Sequence, residues 1–472
     1  MKQITIDIET ASDENIKDCG VYRYAESECF DLLLVSYAVD NGPVATCDIA
    51  NGETLPDDVR NALTDKTVIK KAFHVNFERI CLSVYLRRKY PEMLDFKDST
   101  GSYLDPVSWQ CDMIHCRYLG MLSSLDDMGR LLRLKEKKMA EGKELIRFFC
   151  TLHQEADGSI LFHDKSDAPK KWEKFKAYNR RDVEVELKIQ RYLSEFPVPE
   201  FVWEEFYIDQ EINDRGILVD TSFAKKAVEL DGQVKKALLP KLKELTGLDN
   251  PNSPVQMKEW LMCRGMETDT LDKKFMQKIS GSAPEEVQEV LRLYQQLSKS
   301  SVQKYTTMLR VVCADGRARG MFSFYGANRT GRFAGRLIQL QNLPQNHLDD
   351  LAELKEQIRT GEFDTIKENH DDVPDVLSQL IRTAFIPPEG KKYVVADFSA
   401  IEARVLAWLA DEKWRMQAFA NGEDIYCASA SKMFGVPVEK NGTNGHLRQK
   451  GKIAELACGY GGSIGAIKAM GG

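Results

Sequence analysis

The hydropathy pattern changes character near residue 197, and this change constrains the fold of the chain more than any other feature. Residues 1–197 alternate short β-rich runs with helical stretches, which is typical of an α/β domain. Residues 201–309 have an almost unbroken pattern of long, charged, amphipathic helices, interrupted at 249–254. The turn sequence at 196–200, with two prolines, predicts a boundary between these regions. The 472 residues are therefore expected to form two to four domains, at roughly 100 to 200 residues per domain.

The pattern alternates again beyond residue 309. It predicts a β-rich patch, a Gly/Arg-rich loop, an acidic helical insert, a strand and finally helices, at 321–325, 326–336, 346–380, 392–396 and from 397 onward. No stretch long enough to cross a membrane lacks charged residues, and acids at positions 7 and 9 argue against a signal peptide. Eleven irregularly spaced cysteines indicate reduced thiols and a cytoplasmic location.

The charge is unevenly distributed. The formal net charge is −7, yet residues 291–340 hold nine Lys or Arg against a single acid, Asp315. A basic stripe on an acidic protein is the electrostatic footprint expected of a track for a nucleic-acid backbone. A solvated helix face would look the same on charge alone, so both interpretations stay open at this point.

The first strand carries two acids on one face. Asp7 and Glu9 are two residues apart, so in a strand their side chains project to the same side. The isoleucines around them predict a central strand buried on both faces. Buried carboxylates are costly unless a cation neutralises them, although a strand end with two solvated acids is the alternative.

Two later fragments extend this pattern. Glu78 falls at a predicted helix start, and Tyr178 and Asp182 are four residues apart on one helix face. Together with Asp7 and Glu9, they resemble the DEDD-type 3′→5′ exonucleases that carry a tyrosine in the third motif. The resemblance covers residues 1–193 and implies a ribonuclease H-like domain. It departs from the family at Glu78, where many members have Asp, and at His74, where Asn is common.

That resemblance implies a two-metal phosphodiesterase. Two Mg²⁺ ions about 3.5–4 Å apart would activate a water and stabilise the leaving oxygen. Manganese is expected to substitute for magnesium. Tyr178 would orient the attacking water, and the metal ligands would be Asp7, Glu9, Glu78 and Asp182.

A second set of motifs lies after residue 390. The run Tyr-Val-Val-Ala-Asp-Phe-Ser-Ala-Ile-Glu-Ala-Arg at 393–404 resembles motif A of family A DNA polymerases. By this resemblance Asp397 would hold both palm metals with the Phe398 carbonyl assisting, and Glu402 would lie at the sugar of the incoming nucleotide. Phe398 and Ala400 stand where the family usually has Tyr and Gln.

Residues 448–460 predict one helix with functional side chains every four residues. This stripe resembles motif B, the fingers helix of the same family. Arg448 and Lys452 would meet the triphosphate, and Leu456 and Tyr460 the base and sugar. Leu456 departs from the usual aromatic residue, as Ala457 does from the usual Gly.

The basic region contains further segments that resemble this family. Thr-Gly-Arg at 330–332 and Gln-Asn-Leu-Pro at 341–344 are similar to its primer–template contacts. The resemblance places Arg332 in the minor groove, where acceptors are similar for all base pairs. It implies that Gln341 and Asn342 make polar contacts to DNA. It also implies that Lys299 and Lys304 belong to a thumb segment that grips the duplex.

Residues 461–472 contain no acid, whereas the family needs a second palm carboxylate in motif C. The sequence therefore predicts the N-terminal part of such a polymerase, with a right hand of thumb, partial palm and partial fingers.

The expected α/β and α+β domains are 1–197, 198–320, 321–410 and 411–472. Expected partners are primer–template DNA, single-stranded 3′ ends, dNTPs and a fragment carrying motif C, but no membrane. A stand-alone exonuclease with a DNA-gripping thumb and a non-catalytic DNA-binding remnant are the alternatives.

Overall fold

A computed structural model describes residues 1–93, 103–135, 138–139, 141–154, 160–272, 275–276, 279, 283–327 and 329–471. The chain divides into two compact units, Met1–Gly390 and Lys391–Gly472, which are described separately below. The domain limits predicted from the sequence, at 197, 320 and 410, stay predictions. None of the described helices is both long enough and apolar enough to cross a membrane.

A five-stranded mixed sheet lies at the start of the first unit. Its strands are β1 (Gln3–Ala11), β2 (Asp31–Val39), β3 (Ala45–Asp48), β4 (Ile69–Ala72) and β5 (Trp109–Cys111). The spatial order is β3-β2-β1-β4-β5, with β1 antiparallel to β2 and parallel to β4. The prediction that β1 is a central strand is therefore confirmed. Its isoleucines at 4, 6 and 8 are almost completely buried.

Helices cover both faces of this sheet. They are α1 (Ile16–Glu26), α2 (Asp57–Thr64), α3 (Val75–Lys89), α4 (Asp112–Tyr118), α5 (Leu125–Leu131), α6 (Gly142–Phe149) and α7 (Pro169–Leu193). One core joins the β1 isoleucines to α1 and α3, and another joins Leu34 of β2 to Trp172 and Phe175 of α7. Helix α7 packs along β1 and β2, which brings its inner face over the acids of β1. Strand β6 (His153–Gln154) pairs in antiparallel orientation with β7 (Ile160–Leu161).

Long helices follow, as predicted. They are α8 (Glu200–Arg215), α9 (Thr221–Thr246), α10 (Pro254–Met262), α11 (Glu285–Leu297) and α12 (Gln303–Val311). The acidic insert is also helical, with α13 (Leu351–Thr360), α14 (Phe363–Asn369) and α15 (Val373–Leu380). Its Ile358, Ile366 and Leu377 are fully buried in a core shared with Phe223 of α9. The insert is thus fixed to α9 by its apolar face rather than being a solvated loop.

Two small antiparallel pairs complete the first unit. Strand β8 (Ile217–Leu218) pairs with β9 (Arg317–Ala318), and β10 (Phe322–Ala327) pairs with β11 (Arg332–Gly335). The prediction of a loop throughout 326–336 is wrong for 332–335, because Arg332 and Gly335 pair with Ala327 and Phe322 of the neighbouring strand. The ladder of hydrogen bonds comes from the partner strand, so local composition rich in Gly and Arg does not reveal it.

The second unit contains helices and no strand among its described residues. Its helices are α16 (Ile401–Leu409), α17 (Lys413–Ala420), α18 (Ile425–Phe434), α19 (Arg448–Gly459) and α20 (Ile464–Ala469). The strand predicted at 392–396 is not formed: the segment is irregular, and Val394 and Val395 are 86% and 90% exposed. A strand forms only where a neighbouring strand supplies a hydrogen-bonding ladder, and none of the sheets among the described residues includes this segment.

Candidate functional site

Three predicted acids meet in space. Asp7 and Glu9 of β1 and Asp182 of α7 each offer a carboxylate oxygen, and these atoms all lie within 4.8 Å of one another. The grouping follows from two periodicities: residues two apart share a strand face, and α7 packs across that face with Asp182 inward. It is the one such group of metal-ligating side chains found in the part of the chain that the structure describes.

Burial changes the acidity of this cluster. Burial, together with the nearby charge of Asp182, raises the pKa of Asp7 to about 8, although the charge of Lys138 and a hydrogen bond from Asn179 oppose the shift. Burial together with the charges of Asp7 and Asp182 also raises the pKa of Glu9 well above its usual value. Carboxylates this close repel one another when ionised, so the cluster is stable as charged groups only beside a positive charge.

Glu78 lies near this group but outside it. It is buried in the first turn of α3, and burial and the charge of Asp7 raise its pKa well above the usual range. Two buried carboxylate oxygens, Glu78 Oε2 and Asp182 Oδ1, have no hydrogen-bond partner among the described residues. Unpaired buried oxygens beside clustered carboxylates fit a hard divalent cation such as Mg²⁺ or Mn²⁺, which prefers oxygen ligands.

A buried ion pair fixes the helix that carries Glu78. Arg79, the next residue of α3, donates two hydrogen bonds to Asp214 of α8, from Nη1 at 2.8 Å and from Nη2 at 2.7 Å. The Tyr22 hydroxyl donates to the same carboxylate at 2.6 Å. The bidentate ion pair between Arg79 and Asp214 gives α3 a defined orientation against α8.

Tyr178 lies one helical turn before Asp182 and is almost completely buried. Its ring stacks on Phe175, with 6.3 Å between centroids, and lies against the start of α6, where a Cβ on Gly142 would come within 2.2 Å of Cε2. Burial and the charge of Glu9 raise the pKa of Tyr178, so its phenol keeps the proton. The charges of Asp182 and Asp7 also raise the pKa of Tyr178, because its phenol lies close to these acids.

Two contacts to these acids are absent from the sequence prediction. Asn179 Nδ2 donates to Asp7 Oδ2 at 2.6 Å, and Lys138 Nζ donates to Asp182 Oδ2 at 2.6 Å. Asn179 follows Tyr178 directly, and no helical or strand period links it to Asp7, the acid that it contacts. Lys138 belongs to a lysine-rich run that is typical of a solvated loop. Neither carries a signal that sequence analysis could have used.

A second polar network lies beside the cluster. Gln190 of α7 donates to Asp112 at 2.7 Å and to Glu186 at 3.2 Å, and it accepts from Thr5 of β1. Burial, then the charge of Asp112, raises the pKa of Glu186 well above its usual value. Glu186 and Gln190 continue the four-residue spacing of the α7 stripe, so this helical period could have revealed them.

In the second unit, the helix predicted at 448–460 is confirmed as α19, with Tyr460 at its C-terminal cap. The Tyr460 hydroxyl donates to Glu402, so the structure brings these two predicted residues together. Arg448 Nε donates to Asp424 at 2.8 Å, while Lys452 and Leu456 are half-buried. The α19 helix is tied to α17 by Arg415, whose Nη2 donates to Glu455 at 2.8 Å.

Asp397 and Phe398 lie in the irregular segment that precedes α16, and Phe398 is 78% exposed. The acid group formed by Asp7, Glu9 and Asp182 does not include Asp397, and the described residues of the second unit contribute no comparable group. The structure therefore does not assemble a metal centre around Asp397 from the described side chains.

The predicted DNA-contacting lysines are engaged with protein groups. Lys299 Nζ lies 2.6 Å from Asp375 of the insert, and Lys304 Nζ donates to the Ile338 carbonyl. Gln341 and Asn342 share a single 3₁₀ turn, and Asn342 Nδ2 donates to Gln339 Oε1 at 3.0 Å. The predicted Arg332 is exposed on β11.

Two more arginines are exposed close to Arg332 in sequence. Arg329 lies in the turn before β11 and Arg336 follows it, so together with Arg332 they form a basic hairpin, defined here as β10–β11 with these three residues. This hairpin carries exposed positive charge, whereas Arg319 of the same basic region is buried and paired with Asp315.

The structure shows a multidomain fold in which an α/β region precedes long helices. Residues 222–469 match the family described as DNA polymerase family A. The whole chain is 44% identical to a DNA polymerase of Bacillus phage SP02 and spans 71% of that protein. A DNA polymerase I of Rhizobium leguminosarum is 40% identical over 104 residues, or 22% of this chain and 10% of that protein. The chain belongs to DNA polymerase family A, which confirms the resemblance seen in the motifs.

A solved structure supports the fold. The POL domain of Pol1 from M. smegmatis, in complex with DNA primer-template and dNTP, matches with a TM-score of 0.57 and 18% identity. The match covers 98% of this chain and 71% of that one. At this identity the likeness concerns the fold.

Proposed function

We propose that the protein is a template-directed DNA polymerase of phage type whose residues 1–193 form a Mg²⁺-dependent 3′→5′ exonuclease that proofreads DNA synthesis. The observation that carries the exonuclease is the convergence of Asp7, Glu9 and Asp182 within 4.8 Å at the contact of β1 and α7. Unpaired oxygens of Glu78 and Asp182 support it, since an oxygen-preferring cation would satisfy them.

Each side chain has a distinct part in this proposal. Asp7, Glu9, Glu78 and Asp182 would hold two divalent cations, which supply a nucleophilic water and charge stabilisation at the leaving 3′ oxygen. Tyr178, neutral and directed toward Asp182, would hold the water in line with the phosphorus. Attack by this water breaks the bond between phosphorus and the 3′ oxygen and releases a nucleoside 5′-monophosphate.

The polymerase part of the proposal concerns the later residues. Arg448, Lys452, Leu456 and Tyr460 would receive the dNTP, and Glu402, in contact with Tyr460, would lie at its sugar. Arg332, Gln341 and Asn342 would contact primer–template DNA during replication. The M. smegmatis structure is a complex with DNA primer-template and dNTP, which supports these partners.

A stand-alone exonuclease with a DNA-gripping thumb is the second candidate. The observation that favours it is the position of Asp397, which lies in an irregular segment without an acid cluster among the described residues. In this alternative the chain digests single-stranded 3′ ends but does not extend primers.

The exonuclease is tested by removing its first two ligands. The Asp7→Ala/Glu9→Ala variant is expected to lose several orders of magnitude in the rate of nucleotide release from single-stranded DNA with Mg²⁺. The matched control is Asp18→Ala/Glu28→Ala, which removes two exposed acids of the same region. Equal rates for the double variant, its control and the parent would refute the assignment.

A further inference from the structure

A lysine is part of the candidate exonuclease site although no acid-based motif includes it. Lys138 Nζ lies 2.6 Å from Asp182 Oδ2 and 4.9 Å from the centroid of the Tyr178 ring. The Asp182 side chain is 4% exposed, whereas that of Lys138 is 31% exposed. The ammonium group therefore lies at the mouth of the site, between the buried acids and solvent.

The geometry leaves Asp182 able to bind a cation at the same time. Lys138 contacts only Oδ2, and Oδ1 is the buried oxygen that has no hydrogen-bond partner among the described residues. A lysine ammonium carries three N–H donors in tetrahedral directions. One is used by Asp182 and another faces the Tyr178 ring, so a third remains for a group that enters from solvent.

The group that enters such a site is an anion. A scissile phosphate gains negative charge on its non-bridging oxygens as water attacks, and a preorganised positive donor stabilises that charge. Lys138 is held by Asp182 and Tyr178, the same two residues that would place the metal and the water. Its ammonium group is therefore a positive donor next to the atoms that would bind the metal and the water.

We propose that Lys138 is a catalytic residue of the exonuclease, which holds a non-bridging oxygen of the scissile phosphate while Asp182 Oδ2 and the Tyr178 ring fix its ammonium group. This inference rests on the proposed function of the same site. It adds to that site a residue that touches the substrate.

The test compares Lys138→Met, Lys138→Arg and the control Lys143→Met. Lys143 is exposed on α6, five residues away, so its replacement removes the same charge without touching Asp182. Single-turnover release of a 3′-terminal nucleotide is measured at saturating Mg²⁺ and single-stranded DNA. Calorimetric titration with Mn²⁺ and thermal unfolding in EDTA report on metal binding and on folding independently of activity.

The expected result is a fall in the single-turnover rate of about 10²-fold for Lys138→Met, as for the loss of one transition-state donor, with partial recovery in Lys138→Arg. The Mn²⁺ affinity of Lys138→Met should be no weaker than that of the parent, because its carboxylates are intact. Lys143→Met should match the parent in every measurement.

The other outcomes overturn the inference. If Lys138→Met digests at the rate of Lys143→Met, Lys138 has no catalytic role, while the proposed exonuclease stands because the parent is active. If the loss of rate comes with weaker Mn²⁺ binding or a lower melting temperature than Lys143→Met, the role is structural. A parent chain that releases no nucleotide refutes both the exonuclease and this inference.

Discussion

Asp7 shows how burial determines the chemistry of a single side chain. An aspartate has a usual pKa of 3.8, but in this protein burial, followed by the charge of Asp182, raises the pKa to about 8. Between these two values the metal-free native protein binds a proton that the unfolded chain has lost. The contribution of this group to folding stability is therefore complete below about pH 4 and is lost as the pH rises through about 8.

This shift predicts a pH dependence that a metal ion should oppose. In EDTA the melting temperature of the parent should fall as the pH rises from about 4 toward about 8, and the Asp7→Asn variant should show a shallower fall. Added Mg²⁺ should reduce the fall in the parent, since cations favour the ionised acids. Asp18→Asn, an exposed acid, is the control. Parallel melting curves for Asp7→Asn and the parent would contradict the assigned burial effect.

How much the sequence reveals at this scale depends on periodicity. The shared face of Asp7 and Glu9 follows from the period of a strand, and the pairing of Tyr178 with Asp182 from that of a helix. The contact between Lys138 and Asp182 joins residues 44 positions apart, so it depends on the tertiary fold. No local period encodes that kind of contact.

At the scale of elements, the beginning of α6 sets the position of Tyr178. Gly142 is buried there, and a Cβ at this residue would overlap the Tyr178 ring at 2.2 Å from Cε2. Gly142→Ala should therefore displace the ring and lower the exonuclease rate, by about 10-fold or more if the water loses its alignment. The metal ligands themselves stay unchanged, so Mn²⁺ binding should persist.

The matched control for this prediction is Gly232→Ala on α9, where an added Cβ meets nothing within 4 Å. That change should leave nucleotide release unaltered and should slightly favour the helix. A Gly142→Ala variant as active as Gly232→Ala would show that the close contact at Tyr178 has no bearing on catalysis.

The basic hairpin gives a second prediction at this scale. Lys299 and Lys304 are half-buried, whereas Arg329 and Arg332 are exposed to solvent, so DNA can reach the two arginines more readily. Arg329→Glu/Arg332→Glu should weaken binding to duplex DNA of any sequence. The salt dependence should also become shallower, by about 0.9 in slope for each lost phosphate contact.

A control for the hairpin reverses the same amount of charge elsewhere. Lys17→Glu/Lys165→Glu changes two exposed lysines in the sheet-containing region. Binding titrations at several salt concentrations should separate the two variants. If the salt dependence of binding has the same slope for both variants, the basic region is a solvated surface and not a DNA contact. Its composition leaves that alternative open.

Elements also show where sequence patterns fail. Helix α19 is amphipathic over its whole length, and its own i to i+4 hydrogen bonds suffice to form it, so 448–459 could be predicted. The run at 392–396 has the composition of a strand but forms none, because a strand takes its hydrogen bonds from a neighbour. Strand β11 is the opposite case, since its partner β10 makes a strand of residues with weak strand composition.

At the scale of the whole molecule, the two compact units differ in how completely their predicted sites are assembled. The first unit, Met1–Gly390, contains the clustered acids, the phenol and the lysine of the proposed exonuclease. The second unit, Lys391–Gly472, contains α19 and the contact between Glu402 and Tyr460, but its described residues form no acid cluster at Asp397. We therefore expect that this chain can bind a nucleotide without transferring it efficiently to a primer.

This difference predicts that the 472-residue chain binds primer–template DNA but extends a primer poorly. In-line phosphoryl transfer needs cations held against both the attacking 3′ hydroxyl and the triphosphate. Asp397 belongs to no acid cluster among the described residues, which leaves such cations with too few anionic ligands, and Glu402 is already hydrogen-bonded to Tyr460. Extension is best measured in the Asp7→Ala/Glu9→Ala background, where degradation cannot mask synthesis, and then repeated with a fragment that carries motif C.

The control is the same background with Asp397→Ala added. A stimulated rate with the fragment that disappears in Asp397→Ala would show that Asp397 is one half of a metal site completed by the added carboxylate. Rapid template-directed extension by the chain alone, also lost in Asp397→Ala, would contradict the prediction. It would mean that the exposed segment 391–398 rearranges on binding DNA and dNTP, so that a second carboxylate of this chain reaches the metals beside Asp397.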